Sequence, residues 1–213
     1  MAGILDLLNS DLGKQIVSGV AGSTGTDSSK TSSVLTMGLP VLMKAMEQNT
    51  SSSKGAEGLM GALASKHDGS ILDNLGGLFG GGVDESVKQD GAGILSHILG
   101  TKQSGVEQLI GQKAGIDASA VSNILKVAAP LIMGYLGKEK QSQGLSNSGD
   151  LTGLLGGLLG GSSTANNQGF LEKILDADGD GSMIDDVAGM FLGEQKDNSN
   201  DGISGRLGGL FGK

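Results

Sequence analysis

The residues best suited to chemistry lie in one acidic stretch, where Asp176, Asp178 and Asp180 alternate and are followed by Gly181, Ser182, Asp185 and Asp186. Hard oxygen ligands at alternate positions let a short loop wrap one cation. Aspartates at positions one, three and five with glycine at six match the start of an EF-hand-type calcium loop over residues 176–187. Gly181 supplies the sharp turn and Ser182 a carbonyl. The end departs from the pattern, because position twelve is Val187 rather than a bidentate glutamate, which leaves Asp185 or Asp186 to close a shortened loop. The plain alternative is a helix cap at Asp180, but capping needs one oxygen, not three aspartates whose charges repel one another. The expected ligands are therefore Asp176, Asp178, Asp180, Ser182, Asp185 and Asp186, with calcium as the cofactor. A weaker relative of the loop spans residues 197–202.

Other reactive groups are scarce. His67 and His97 are the only histidines and cysteine is absent, so thiol catalysis, disulfides and zinc–thiolate sites are excluded. Each histidine sits in a region linking the two copies, without a recognisable catalytic acid–serine arrangement, and no cleft holding either one beside a carboxylate is expected. No nucleophile elbow surrounds any serine. The chain is read as non-enzymatic.

Charge narrows the partners. The net charge is −8, and Arg206 is the sole arginine, so nucleic acid and anionic membranes should be repelled. Residues 108–125 resemble a helix-turn-helix around Gly115, yet Lys126 is the only cation the second helix would offer, and a structural helical hairpin is the better reading. The opening residues lack the basic stretch and apolar core of a signal peptide, and no uninterrupted apolar run reaches membrane-spanning length. The expectation is a soluble cytoplasmic protein, with leaderless export left open.

The elements that must position these groups are helices. Strand-like alternation is nearly absent, and the fold class is all-α. Residues 32–43 align without gaps with residues 122–133, placing the chain's only two prolines, Pro40 and Pro130, at the same point of both segments. Leu35, Leu39, Leu42 and Met46 match Leu125, Ala129, Ile132 and Leu136, spaced as the apolar stripe of a core-facing helix. This spacing runs unbroken through both prolines, so a kinked helix is expected rather than two abutting ones. The chain is divided into a duplicated helical domain over residues 1–160, with copies at about 12–80 and 104–160, and a Gly/Asp-rich tail over 161–213. Residues 138–149 and 161–168 read as loops. A shorter repeat relates residues 68–79 to 180–191.

Five aromatic residues among 213 leave the core to Leu, Ile, Val, Met and Ala, while forty glycines and two prolines suggest short helices with glycine stops. The Gly-Gly segments at 75–82 and 154–161 lack a phosphate-loop ending. Their leucines could instead form a sticky surface for a partner or another copy.

The duplicated leucine-rich helices with a central proline, and the opening Ile4-Leu5-Asp6-Leu7-Leu8, resemble the YidB-like bacterial proteins, known as domain of unknown function 937. The resemblance covers roughly residues 1–160 and implies a compact helical fold, a bacterial source and no established activity. The leading expectation is a self-associating helical scaffold or protein-interaction module whose tail is pinned by calcium. The alternative is a carrier of small apolar ligands or lipid, with a Met- and Leu-lined pocket between the copies. An enzyme comes third.

Overall fold

Pro40 and Pro130 each fall inside one continuous helix, as the unbroken apolar spacing predicts. In the computed structural model, which describes residues 3–160, Pro40 lies in α3 (Ser28–Asn49) and Pro130 in α8 (Ala118–Ser142). These two helices form the centre. Leu35, Leu39 and Leu42 of α3 and Leu125, Ile132 and Leu136 of α8 are all buried, as their stripe requires. Nothing but helix and connecting turns occurs among the described residues.

The shorter helices are laid against this pair. They are α1 (Ile4–Asn9), α2 (Asp11–Thr24), α4 (Ser53–Ser65), α5 (Leu75–Gly80), α6 (Glu85–Leu99), α7 (Gln103–Ala114) and α9 (Ser148–Gly160), with a 3-10 turn at Ser70–Asn74. Helices α6 and α7 pack chiefly on α8, α9 packs on α3 and α4, and α2 touches both central helices.

Each central helix is entered in the same way. Gly25 and Gly115, with φ of 66° and 67°, end α2 and α7 in the left-handed conformation that glycine adopts without strain. Asp27 and Asp117 then stand at the N-caps of α3 and α8. The Asp27 carboxylate accepts from the backbone N–H of Ser29 at 2.8 Å and of Lys30 at 3.3 Å. Lys30 in turn donates from Nζ to the Ala114 carbonyl at 2.8 Å, placing a cation at the negative end of α7. The common order of short helix, glycine, aspartate and proline helix supports the proposal of an internal repeat.

Glycine also sets how closely helices meet. A Cβ at Gly91 of α6 would fall on the Lys126 carbonyl oxygen of α8. That carbonyl is the one Pro130 leaves without its helical N–H partner, because proline has none. The α-hydrogen of Gly91 points at it instead, in the manner of a weak Cα–H···O contact. Gly137 does the same for the His67 carbonyl.

Two expectations are corrected. Residues 138–149 are mostly helical: α8 continues to Ser142 and α9 begins at Ser148, because Lys138, Glu139, Lys140 and Gln141 are good helix formers. The leucines of the 154–161 segment are not a free surface, since Leu154, Leu155 and Leu158 are buried within the chain, as is Leu75 of the other segment. One helix, Ala118–Ser142, is long and apolar enough by composition to cross a membrane, although no uninterrupted apolar run in it reaches membrane-spanning length, as expected. In this structure 72% of its most apolar window is buried inside the protein.

Candidate functional site

His67 owes its place to two helices. The chain leaves α4 with the His67 N–H still bonded to the Ala62 carbonyl at 2.9 Å. The bare backbone of Gly137 in α8 then lets His67 settle against it. The imidazole ends only 6% exposed, with Nε2 at 3.5 Å from Oδ2 of Asp90 on α6. The other oxygen of that carboxylate, Oδ1, accepts from Lys66 Nζ at 2.6 Å. Burial lowers the basicity of His67 below the ordinary histidine value. The opposing attraction of Asp90 is smaller, and the nearby Lys66 charge adds to the lowering.

This cluster closes one end of a cleft of about 680 Å³ between α4 and α6. The floor is sulfur and methyl: Met46 of α3 and Met133 of α8, both buried. Leu59 and Ala62 line the α4 wall and Ile94 and Ile98 the α6 wall. At the far end Asn49 donates from Nδ2 to the Ile98 carbonyl at 3.2 Å, tying the end of α3 to α6. Gly58 and Gly93 line opposite walls, and a Cβ at either would meet nothing within 4 Å. Their missing side chains help keep the cleft open. His97 is exposed at its rim. The volume and the mostly apolar lining with a few convergent polar groups are those of a small-molecule site.

The expectation that neither histidine lies in a cleft beside a carboxylate is overturned, since His67 and Asp90 meet there. Nothing in the sequence signals the pair, because the two residues sit on different elements and only the packing of α4 and α6 on α8 brings them together. The expected metal ligands Asp176, Asp178, Asp180, Ser182, Asp185 and Asp186 lie outside the described residues, as does the rest of the 161–213 segment. Among the described residues no group of three or more His, Cys, Asp or Glu could hold a metal ion.

The depressed basicity of His67 has a consequence for stability. The unfolded chain binds a proton near the ordinary histidine pKa of about 6.5, while the folded chain resists it to lower pH. The contribution of neutral His67 is therefore complete above that pH and is lost as pH falls toward the folded value. Denaturant midpoints should fall between pH 7 and pH 5.5, and His67→Gln should flatten that slope. An equal slope in the variant would show that other groups carry it.

A family of proteins described as bacterial and of unknown function (DUF937) matches this chain over residues 6–139. No curated protein and no solved structure matches it.

Proposed function

For this chain, which belongs to the bacterial family DUF937, we propose a non-enzymatic role in binding a small, largely apolar ligand between α4 and α6. The observation that carries this reading is the methionine-floored cleft of about 680 Å³, whose walls are kept apart at Gly58 and Gly93. A carrier needs a dry, adaptable surface, and methionine side chains repack readily around varied shapes. Most leucines of the glycine-rich segments, Leu75, Leu154, Leu155 and Leu158, are buried within the fold, so the cleft is stronger ground than self-association. The His67–Asp90 pair favours binding over acid–base catalysis. A histidine of lowered basicity is a poorer base at neutral pH, and Asp90 is already engaged by Lys66.

Gly93→Leu tests this proposal. Gly93 lines the cleft and a Cβ there would meet nothing within 4 Å, so a leucine can occupy cleft space without a clash, and removing a helical glycine favours folding by up to about 1 kcal/mol. The variant should therefore melt no lower than the wild type. It should bind the fluorescent apolar probe anilinonaphthalene sulfonate (ANS) about tenfold more weakly. Unchanged probe binding in a folded variant, or no binding by the wild type, would sink the proposal.

The acidic loop supports a second, independent reading: a structural calcium site at Asp176, Asp178 and Asp180, closed by Asp185 or Asp186 with the Ser182 carbonyl. Metal would neutralise the clustered charge and order the loop. Calorimetric titration should give calcium-binding heat for the wild type and none for Asp178→Ala. No heat from either folded protein would reduce the loop to a helix cap.

A further inference from the structure

The dimensions of the cleft and the chemistry of its ends narrow the ligand class. The α4 wall runs from Gly55 to Lys66, a helical rise of about 17 Å. The α6 wall, from Ser86 to Ile98, is of similar length. An extended alkyl chain of about twelve to fourteen carbons spans the same distance, and the volume of about 680 Å³ accommodates it with room for a head group.

Polar capacity differs between the two ends. At one end Lys66 is the only lysine and Asp90 the only carboxylate among the described residues that line the cleft. Both Asp90 oxygens are already faced, Oδ1 by Lys66 and Oδ2 by His67. An ammonium ligand would have to displace Lys66 to reach Asp90. The Lys66 ammonium has three donors and places one on Asp90, and its side chain is 70% exposed and free to swing. The unused charged capacity at this end is therefore that of the Lys66 donors, which an anionic head satisfies, and the neutral Ser86 and Gln89 beside it can donate as well. At the opposite end Asn49 uses its amide on the Ile98 carbonyl, and no lysine or arginine stands there among the described residues that line the cleft.

We infer that the cleft takes a single-chain carboxylate amphiphile of about a dozen carbons. Its head meets Lys66, and its tail runs over Met46 and Met133 toward Asn49. This inference rests on the ligand-binding reading above.

The test uses the full chain and displacement of ANS by dodecanoate and octanoate, each below its micelle concentration, and by dodecanol below its solubility limit. Dodecanoate should displace the probe. Octanoate, four methylenes shorter, should need about a hundredfold more, and dodecanol, which lacks the charge, about tenfold more. Lys66→Met should weaken dodecanoate about tenfold and leave dodecanol unchanged, while Lys66→Arg restores dodecanoate. Dodecanol as tight as dodecanoate, or an inert Lys66→Met, would overturn the carboxylate head. Octanoate as tight as dodecanoate would overturn the chain length. Both results leave the ligand-binding reading standing. Probe binding that Gly93→Leu does not weaken would instead remove that reading, and this inference with it.

Discussion

Gly91→Ala should destabilise the protein by about 3 kcal/mol, a fall in Tm of about 6–12 °C for a chain of this size. The added methyl would land on the Lys126 carbonyl oxygen, which is backbone inside α8 and cannot rotate away. Relief requires α6 to move off the helix with which it shares its largest interface. The substitution also displaces the α-hydrogen that faces the carbonyl stranded by Pro130. Helix propensity works in the opposite direction, since alanine is favoured over glycine by about 1 kcal/mol, so a measured loss would understate the steric term. Gly93→Ala, two residues along the same helix with open space around it, is the control and should be neutral or stabilising. Equal melting temperatures for the two variants would show that α6 and α8 do not meet as closely as described.

Leu125→Ala should cost about 3–4 kcal/mol, the transfer term plus a cavity the surroundings cannot close. Leu125 is fully buried, and its Cδ2 methyl lies where a Cβ at Gly38 would come within 2.9 Å of it. The two proline helices therefore touch through a leucine on one and a glycine on the other. Gly38→Ala alone meets only the far end of a side chain, which can turn. In the Leu125→Ala background the same methyl enters vacated space. The double variant should be more stable than the sum of the single effects by about 1 kcal/mol. Strict additivity in chemical denaturation would argue that Gly38 and Leu125 do not share that space.

Much of the framework was legible without coordinates. The stripe through Leu35, Leu39 and Leu42 and its counterpart through Leu125, Ile132 and Leu136 identified the two central helices, because helical periodicity is a local property of the chain. Gly115 was legible as a turn for the same reason: a left-handed residue after a helix has few chemical solutions. The prolines were placed correctly within continuous helices. Their consequence for packing, a carbonyl met by Gly91, depends on a residue 35 positions before Lys126 and had no local trace.

The candidate site was far less legible. The sequence suggests a pocket lined by methionine and leucine between the two copies, whereas the cleft over Met46, Met133 and Leu59 lies between α4 and α6, a helix that belongs to neither copy. His67 and Asp90 were not connected, and the glycines at 58 and 93 looked like those anywhere else in a chain with forty of them. In the sequence every glycine is equally bare. Whether the missing side chain admits another backbone, as at Gly91 and Gly137, or leaves a hollow, as at Gly58 and Gly93, depends on what lies opposite.

By itself, then, the sequence determined the helical class, the two apolar stripes and the glycine turns, since each follows from spacing and residue type over a few turns of chain. Only the tertiary structure decided which leucines are buried, where glycine means contact and where it means space, and that a histidine, a lysine and an aspartate close one end of an apolar cleft. Those outcomes are set by helix-on-helix packing between residues far apart in the chain, and burial, desolvation and cavity shape are properties of the assembled neighbours.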